Sequence, residues 1–170
     1  MSITRGDTGD RPRRRGGHEP VLHQILARKI LQGHLQNRHQ LMDRGLAELD
    51  GRPPAEAALL IRAMAAAAHA DGALDPQEHE ILRAAVASTG LEPEERRSLE
   101  REVLDPPCLE ALARKVEPSS REAARFYAVS LRLLERDNKT DLAYVNYLAT
   151  RLAIPRDVIV RLNRRFGMPA

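Results

Sequence analysis

Between His69 and Glu80 the chain reads HADGALDPQEHE, which places Asp71, Asp75, Glu78 and Glu80 beside two imidazoles, His69 and His79, within twelve positions. Carboxylates grouped in this way, next to free helix-end carbonyls, are hard oxygen ligands suited to calcium or magnesium. Much of the stretch also reads as helix punctuation. Gly72 can end one helix in the left-handed conformation, Asp75 can cap the next, Pro76 suits its first position, and Glu78 completes a capping box. Asp71 is left over. Read as part of the preceding helix's last turn, its charge faces the negative end of the dipole, a misplacement worth roughly a few tenths of a kcal/mol.

A second group of acids follows the same order farther along the chain. Glu135 and Asp137 stand at the expected end of another helix, and Asp141 stands near the start of the next. Acids set against the dipole at matched positions are what a shared cation site requires. On this argument the candidate ligands are Asp71 and its counterparts Glu135 and Asp137. An EF-hand is excluded, because that loop needs its glycine at the sixth position and here Gly72 follows Asp71 directly. Zinc held by His69, Asp71, Glu78 and His79 ranks below calcium or magnesium: no cysteine is near and the histidine spacing is loose. An acidic surface without a specific ion accounts for these residues equally well. No nucleophile–base set, phosphate-binding loop or histidine–carboxylate pair with usable spacing appears, so a non-enzymatic protein is expected.

The elements that must carry these residues are helical. The 170 residues contain no Trp, two Phe and three Tyr, and Ala, Leu, Glu and Arg, all good helix formers, dominate. Prolines recur at expected helix starts, and the pattern predicts helices over 54–70, 76–89, 93–104, 107–116, 120–136, 140–152 and 156–166, the fifth opened by a capping box from Ser119 to Glu122. No strand is expected. Residues 58–99 and 122–162 echo each other: a long helix ending in acid, a polar loop, an acid at the next helix start, and then a helix begun by Pro93 or Pro155. Two such units can bury the apolar faces that one alone leaves open.

Ahead of them, an apolar periodicity from Pro20 to Leu49, interrupted by Gly33 and Gly45, predicts an amphipathic helix. It could cover its own core, form a homodimer, or serve a second protein. Residues 1–19 read as a disordered basic tail. Its Arg11 and Arg13–Arg15 could touch phosphates, although a solvated tail explains them more simply than nucleic-acid binding. The expected division is thus 1–19, 20–52 and 53–170. The net charge is +3. Residues 1–58 hold ten Lys/Arg against seven Asp/Glu, and residues 59–170 hold seventeen of each, so the excess belongs to the N-terminal third. The single Cys108 fits a reducing compartment, and no run reaches the ~18 apolar residues of a membrane span. A cytoplasmic protein is expected.

The segments LLIRAMAAAAHADGALDPQEHEILRAAVASTGLEPEERRSLEREVLDPP and EAARFYAVSLRLLERDNKTDLAYVNYLATRLAIPRDVIVRLN resemble the TerB-like, tellurite-resistance superfamily, and within it the YebE-type branch. The likeness covers roughly residues 57–165 and rests on Ala70–Asp71–Gly72 with Glu78 downstream, and on Tyr144, Leu148 and Ala149 after an acid. It implies an all-α bundle of two similar helix–loop–helix halves. It also implies an acidic cluster where the loops meet, associated with divalent cations, and a role in tellurite or envelope stress exerted with membrane partners instead of by catalysis. By position, Asp71 and Glu78 match the first acidic pair, and Glu135 and Asp141 the second, so the resemblance implies these four as the metal ligands, with Asp75 and Asp137 as further members. The second pair reads Glu then Asp, where the family tends to show the reverse. The expected function is a stress-associated module that binds a divalent cation at an acidic corner and acts through a protein or membrane-protein partner, peripheral at the inner membrane. The alternative is an adaptor that docks through helix 20–49 and has no metal site.

Overall fold

The computed structural model describes residues 46–72 and 74–169. The predicted tail and most of the predicted helix 20–49 lie outside the described residues. Among the described residues seven α-helices form and there is no strand: α1 Pro54–Ala68, α2 Pro76–Ala87, α3 Pro93–Leu104, α4 Leu109–Ala113, α5 Arg121–Ser130, α6 Lys139–Arg151 and α7 Arg156–Phe166.

The Ala-rich α1 is the axle. Its buried positions run almost all the way round: Ala57, Ala58, Leu60, Ile61, Ala63, Met64, Ala65, Ala67 and Ala68. A helix apolar on every side must be enclosed by neighbours, and α2, α3, α4 and α5 all pack against it. Alanines allow those neighbours a close approach, while Ile61, Met64, Leu82, Leu99, Leu112, Phe126, Tyr127 and Leu148 supply the volume. Ion pairs then tie the perimeter to the axle and its helices to one another. Arg125 of α5 reaches Glu56 in the first turn of α1 at 2.6 Å, Arg62 of α1 pairs with Glu102 of α3, and Arg151 of α6 meets Glu110 of α4 at 3.1 Å.

Three expectations about element ends need correction. The apolar helix does not extend to Leu49: residues 46–50 are turn and coil. Their carbonyls are taken by side chains, Ala47 O by Arg132 at 3.3 Å and Glu48 O by Arg52 at 2.9 Å, while Leu46 and Ala47 are buried in the same core as the helices. The fifth helix stops at Ser130, not 136. Ser130 Oγ donates back to Phe126 O at 3.0 Å, and the bonds Arg132 N to Val129 O and Leu133 N to Ser130 O tighten the chain into turns. Its cap is Ser120, which accepts from Ala123 N at 3.0 Å, while Ser119 turns to φ +60°. The fourth helix shrinks from the expected 107–116 to five residues, followed by short-range turns at Lys115 and Val116.

Candidate acidic corner

The first hairpin delivers its acids through ordinary capping. α1 ends at Ala68, Gly72 N donates to His69 O at 3.1 Å, and Gly72 takes φ +97°, a conformation that glycine adopts without a Cβ penalty. Asp75 Oδ1 then accepts from Gln77 N at 2.6 Å and Glu78 N at 2.9 Å. Glu78 Oε2 accepts in return from Asp75 N at 3.0 Å. The predicted capping box is complete.

The second hairpin repeats the plan with other residues. Asn138 caps α6, its Oδ1 accepting from Thr140 N at 2.9 Å and Asp141 N at 3.4 Å. Asp141 therefore holds the position in α6 that Glu78 holds in α2. One methylene shorter, it does not close a box. Its Oδ2 accepts instead from Glu135 N at 2.7 Å, and the residue is only 5% exposed. Asp141 is an internal clasp that pins the turn after α5 to the first turn of α6.

The two loops meet. Asn138 Nδ2 donates to Asp71 Oδ2 at 3.4 Å, joining positions 67 residues apart in sequence. Burial pushes the Glu78 carboxyl above its ordinary value. The hydrogen bond from Asp75 pulls it down, and the charges of Asp75, Asp71 and Asp141 push it up again. The structure thus brings Asp71, Asp75, Glu78 and Asp141 into one electrostatic neighbourhood. Glu135 joins it through its backbone N–H, with its side chain exposed. Asp137 is almost wholly solvated and lies 3.6 Å from Arg136. The dipole argument for these acids is corrected as well: Asp71 lies three residues beyond α1 and Glu135 five beyond α5, because both helices end earlier than the apolar pattern indicates.

A closed cage for a cation does not fit this arrangement. Among the described residues no three His, Cys, Asp or Glu side chains gather closely enough to hold a metal ion. One carboxylate oxygen of each acid is already engaged: Asp75 and Glu78 by backbone N–H groups, Asp141 by Glu135, and Asp71 by Asn138. His69 is turned elsewhere, its Nε2 donating to Val103 O at 3.1 Å and tying the loop to α3. What the corner offers is a negative field set by these neighbouring carboxylates.

Two groups were not singled out from the sequence. Asn138 is the residue that joins the hairpins, and the available signal was its type and place, an N-cap amide just before α6. The second is Glu110 with Tyr147 and Arg151. Tyr147 donates to Glu110, Arg151 lies 3.1 Å from both carboxylate oxygens, and together they hold the Glu110 carboxyl below its ordinary value. Tyr147 is nonetheless half exposed. Tyr147 and Arg151 stand four residues apart on α6, a spacing the sequence does show, but nothing in it indicates that they meet Glu110 of α4.

Among the described residues no helix is long and apolar enough to cross a membrane. Comparison with curated proteins and with solved structures gave no match. A family match does exist, and it spans residues 21–166, from the predicted N-terminal helix to the end of α7. The chain belongs to the family described as "Protein of unknown function (DUF533)".

Proposed function

We propose that this chain is a non-enzymatic helical module of the TerB-like kind, closest to the YebE-type branch, whose acidic corner attracts a hydrated divalent cation and presents it to a protein partner. The observation that carries the reading is the convergence of Asp71, Asp75, Glu78 and Asp141, drawn from two hairpins, with Glu78 under the charge of the other three. Like charges held together cost stability unless a counter-charge joins them. Calcium or magnesium suits oxygen donors and can bind through water, whereas zinc favours nitrogen or sulfur ligands, and His69 is committed to Val103 O. The link to envelope stress and to a membrane-protein partner rests on the sequence resemblance.

The test is a thermal shift and titration calorimetry of the full chain with calcium, magnesium, manganese and zinc, against sodium chloride of matched ionic strength. Calcium or magnesium at about millimolar level should raise the melting temperature beyond the salt control, and Asp71→Asn should reduce the rise. Equal shifts for all salts would remove the cation and leave the adaptor reading. That second reading is favoured by one observation: each acid of the corner already serves a hydrogen bond within the fold.

A further inference from the structure

The helix α7 carries a charge pattern that neither the core nor the acidic corner uses. Helical spacing sets Leu162 with Val158, Ile159 and Phe166 on one side, where Leu162 is buried and the other three pack against the core. The stripe Arg156–Val160–Arg164 lies opposite this side, and a second stripe, Asp157–Arg161–Arg165, runs beside it along the flank, where the Arg165 guanidinium sits 5.6 Å from the Phe166 ring centre. Arg156, Arg164 and Arg165 are exposed, and Val160 and Arg161 half-buried. The one acid, Asp157, is paired with Arg161 at 2.7 Å.

We propose that this outward face of α7 is a docking surface for an anionic lipid bilayer. Charge complementarity is the first argument: four arginines against one acid on a helix side turned to solvent attract a polyanionic surface, each basic residue strengthening the attraction several-fold. The choice of lipid over nucleic acid comes from the rest of the face. An apolar side chain, Val160, stands between Arg156 and Arg164, where it can enter the headgroup layer. Aromatic residues that would stack on bases and Asn or Gln that would read them are both missing from these two stripes.

The experiment is co-sedimentation of the full chain with vesicles of phosphatidylcholine alone or with about 30% phosphatidylglycerol. Binding should need the anionic lipid and weaken steeply as salt rises from roughly 50 to 300 mM. Arg164→Gln/Arg165→Gln should lower the partition coefficient about 30-fold. The control Arg83→Gln/Arg97→Gln, with the same loss of charge on exposed positions of α2 and α3, should lower it far less. Equal losses in both variants would overturn the assignment to α7, and so would binding to neutral vesicles. A duplex DNA that competes with the vesicles at equal phosphate concentration would overturn the lipid assignment. Retained cooperative melting of both variants excludes misfolding as the cause of any loss.

Discussion

Asp141→Ala tests the acidic corner most directly, because Asp141 is the one acid there that is nearly fully buried. Its Oδ2 accepts the Glu135 N–H at 2.7 Å. Deleting the carboxylate leaves that donor without its partner, at a cost of about 1–3 kcal/mol. The charge also sits in the first turn of α6, where a carboxylate stabilises the positive helix end by about 0.3–1 kcal/mol. Loss of its repulsion with Glu78 works the other way. The net expectation is a destabilisation of about 2 kcal/mol, read as a fall in melting temperature of roughly 4–8 °C for a chain of this size. Asp141→Asn keeps an acceptor oxygen and removes only the charge, so it should cost about 1 kcal/mol or less. Exposed Glu80, paired with Arg83 on the surface, gives the baseline, and Glu80→Ala should stay within about 0.5 kcal/mol. Urea melts of the three variants decide the matter. If Asp141→Ala lies with Glu80→Ala, or Asp141→Asn costs as much as Asp141→Ala, the clasp reasoning is refuted.

Glu78 carries a raised folded pKa, so the folded state binds its proton more tightly than the unfolded one, and stability falls as pH rises through the range just above 4.5. Glu78→Gln keeps the capping-box acceptor; it should melt higher than wild type at pH 7, with the gap closing below pH 4.5, and a lower melting point at pH 7 counts against like-charge crowding. Ala153 ends α6 at φ +49°, with Ile154 N on Ala149 O at 3.0 Å and Ala153 N on Thr150 O at 3.1 Å, the double bond of a Schellman end. Ala153→Gly should therefore stabilise by about 0.5 kcal/mol, relief of the left-handed strain outweighing the added freedom of the unfolded chain, and a drop in a denaturant midpoint would contradict that. Leu46 is buried ahead of the first described helix; Leu46→Ala should cost about 2–3 kcal/mol, and a change under about 0.5 kcal/mol would show that the core does not depend on this segment.

Helix content and most helix starts were legible because they are written in local chemistry. Pro54, Pro76 and Pro93 open their helices, Asp75 and Glu78 form their box, and Gly167 ends α7 in the left-handed region. Helix ends were harder. Leu131, Leu133 and Leu134 carry the apolar run past Ser130, while in the fold the chain leaves the helix there in tight turns, with the Ser130 hydroxyl bonding back to Phe126 O and Asp141 clasping the Glu135 N–H. Neither leaves a mark on hydrophobic periodicity, so the pattern overruns to 136.

The same physics explains how far the acidic pairs could be read. Sequence spacing pairs Asp71 with Glu78 and Glu135 with Asp141, as though each loop offered two equivalent ligands. In the fold the equivalence runs instead between helix positions. Glu78 and Asp141 share the third position of α2 and α6, and a single methylene separates their roles: the longer side chain reaches back to its own cap at Asp75, and the shorter one is drawn inward to the Glu135 N–H. The residue that completes the corner is the neutral Asn138, whose amide caps α6 with its oxygen and holds Asp71 with its nitrogen. An amide supplies both a donor and an acceptor, which no carboxylate does at neutral pH. That is why a loop of acids needs it: it gives Asp71 a partner without adding a further negative charge to the field that Glu78 already feels.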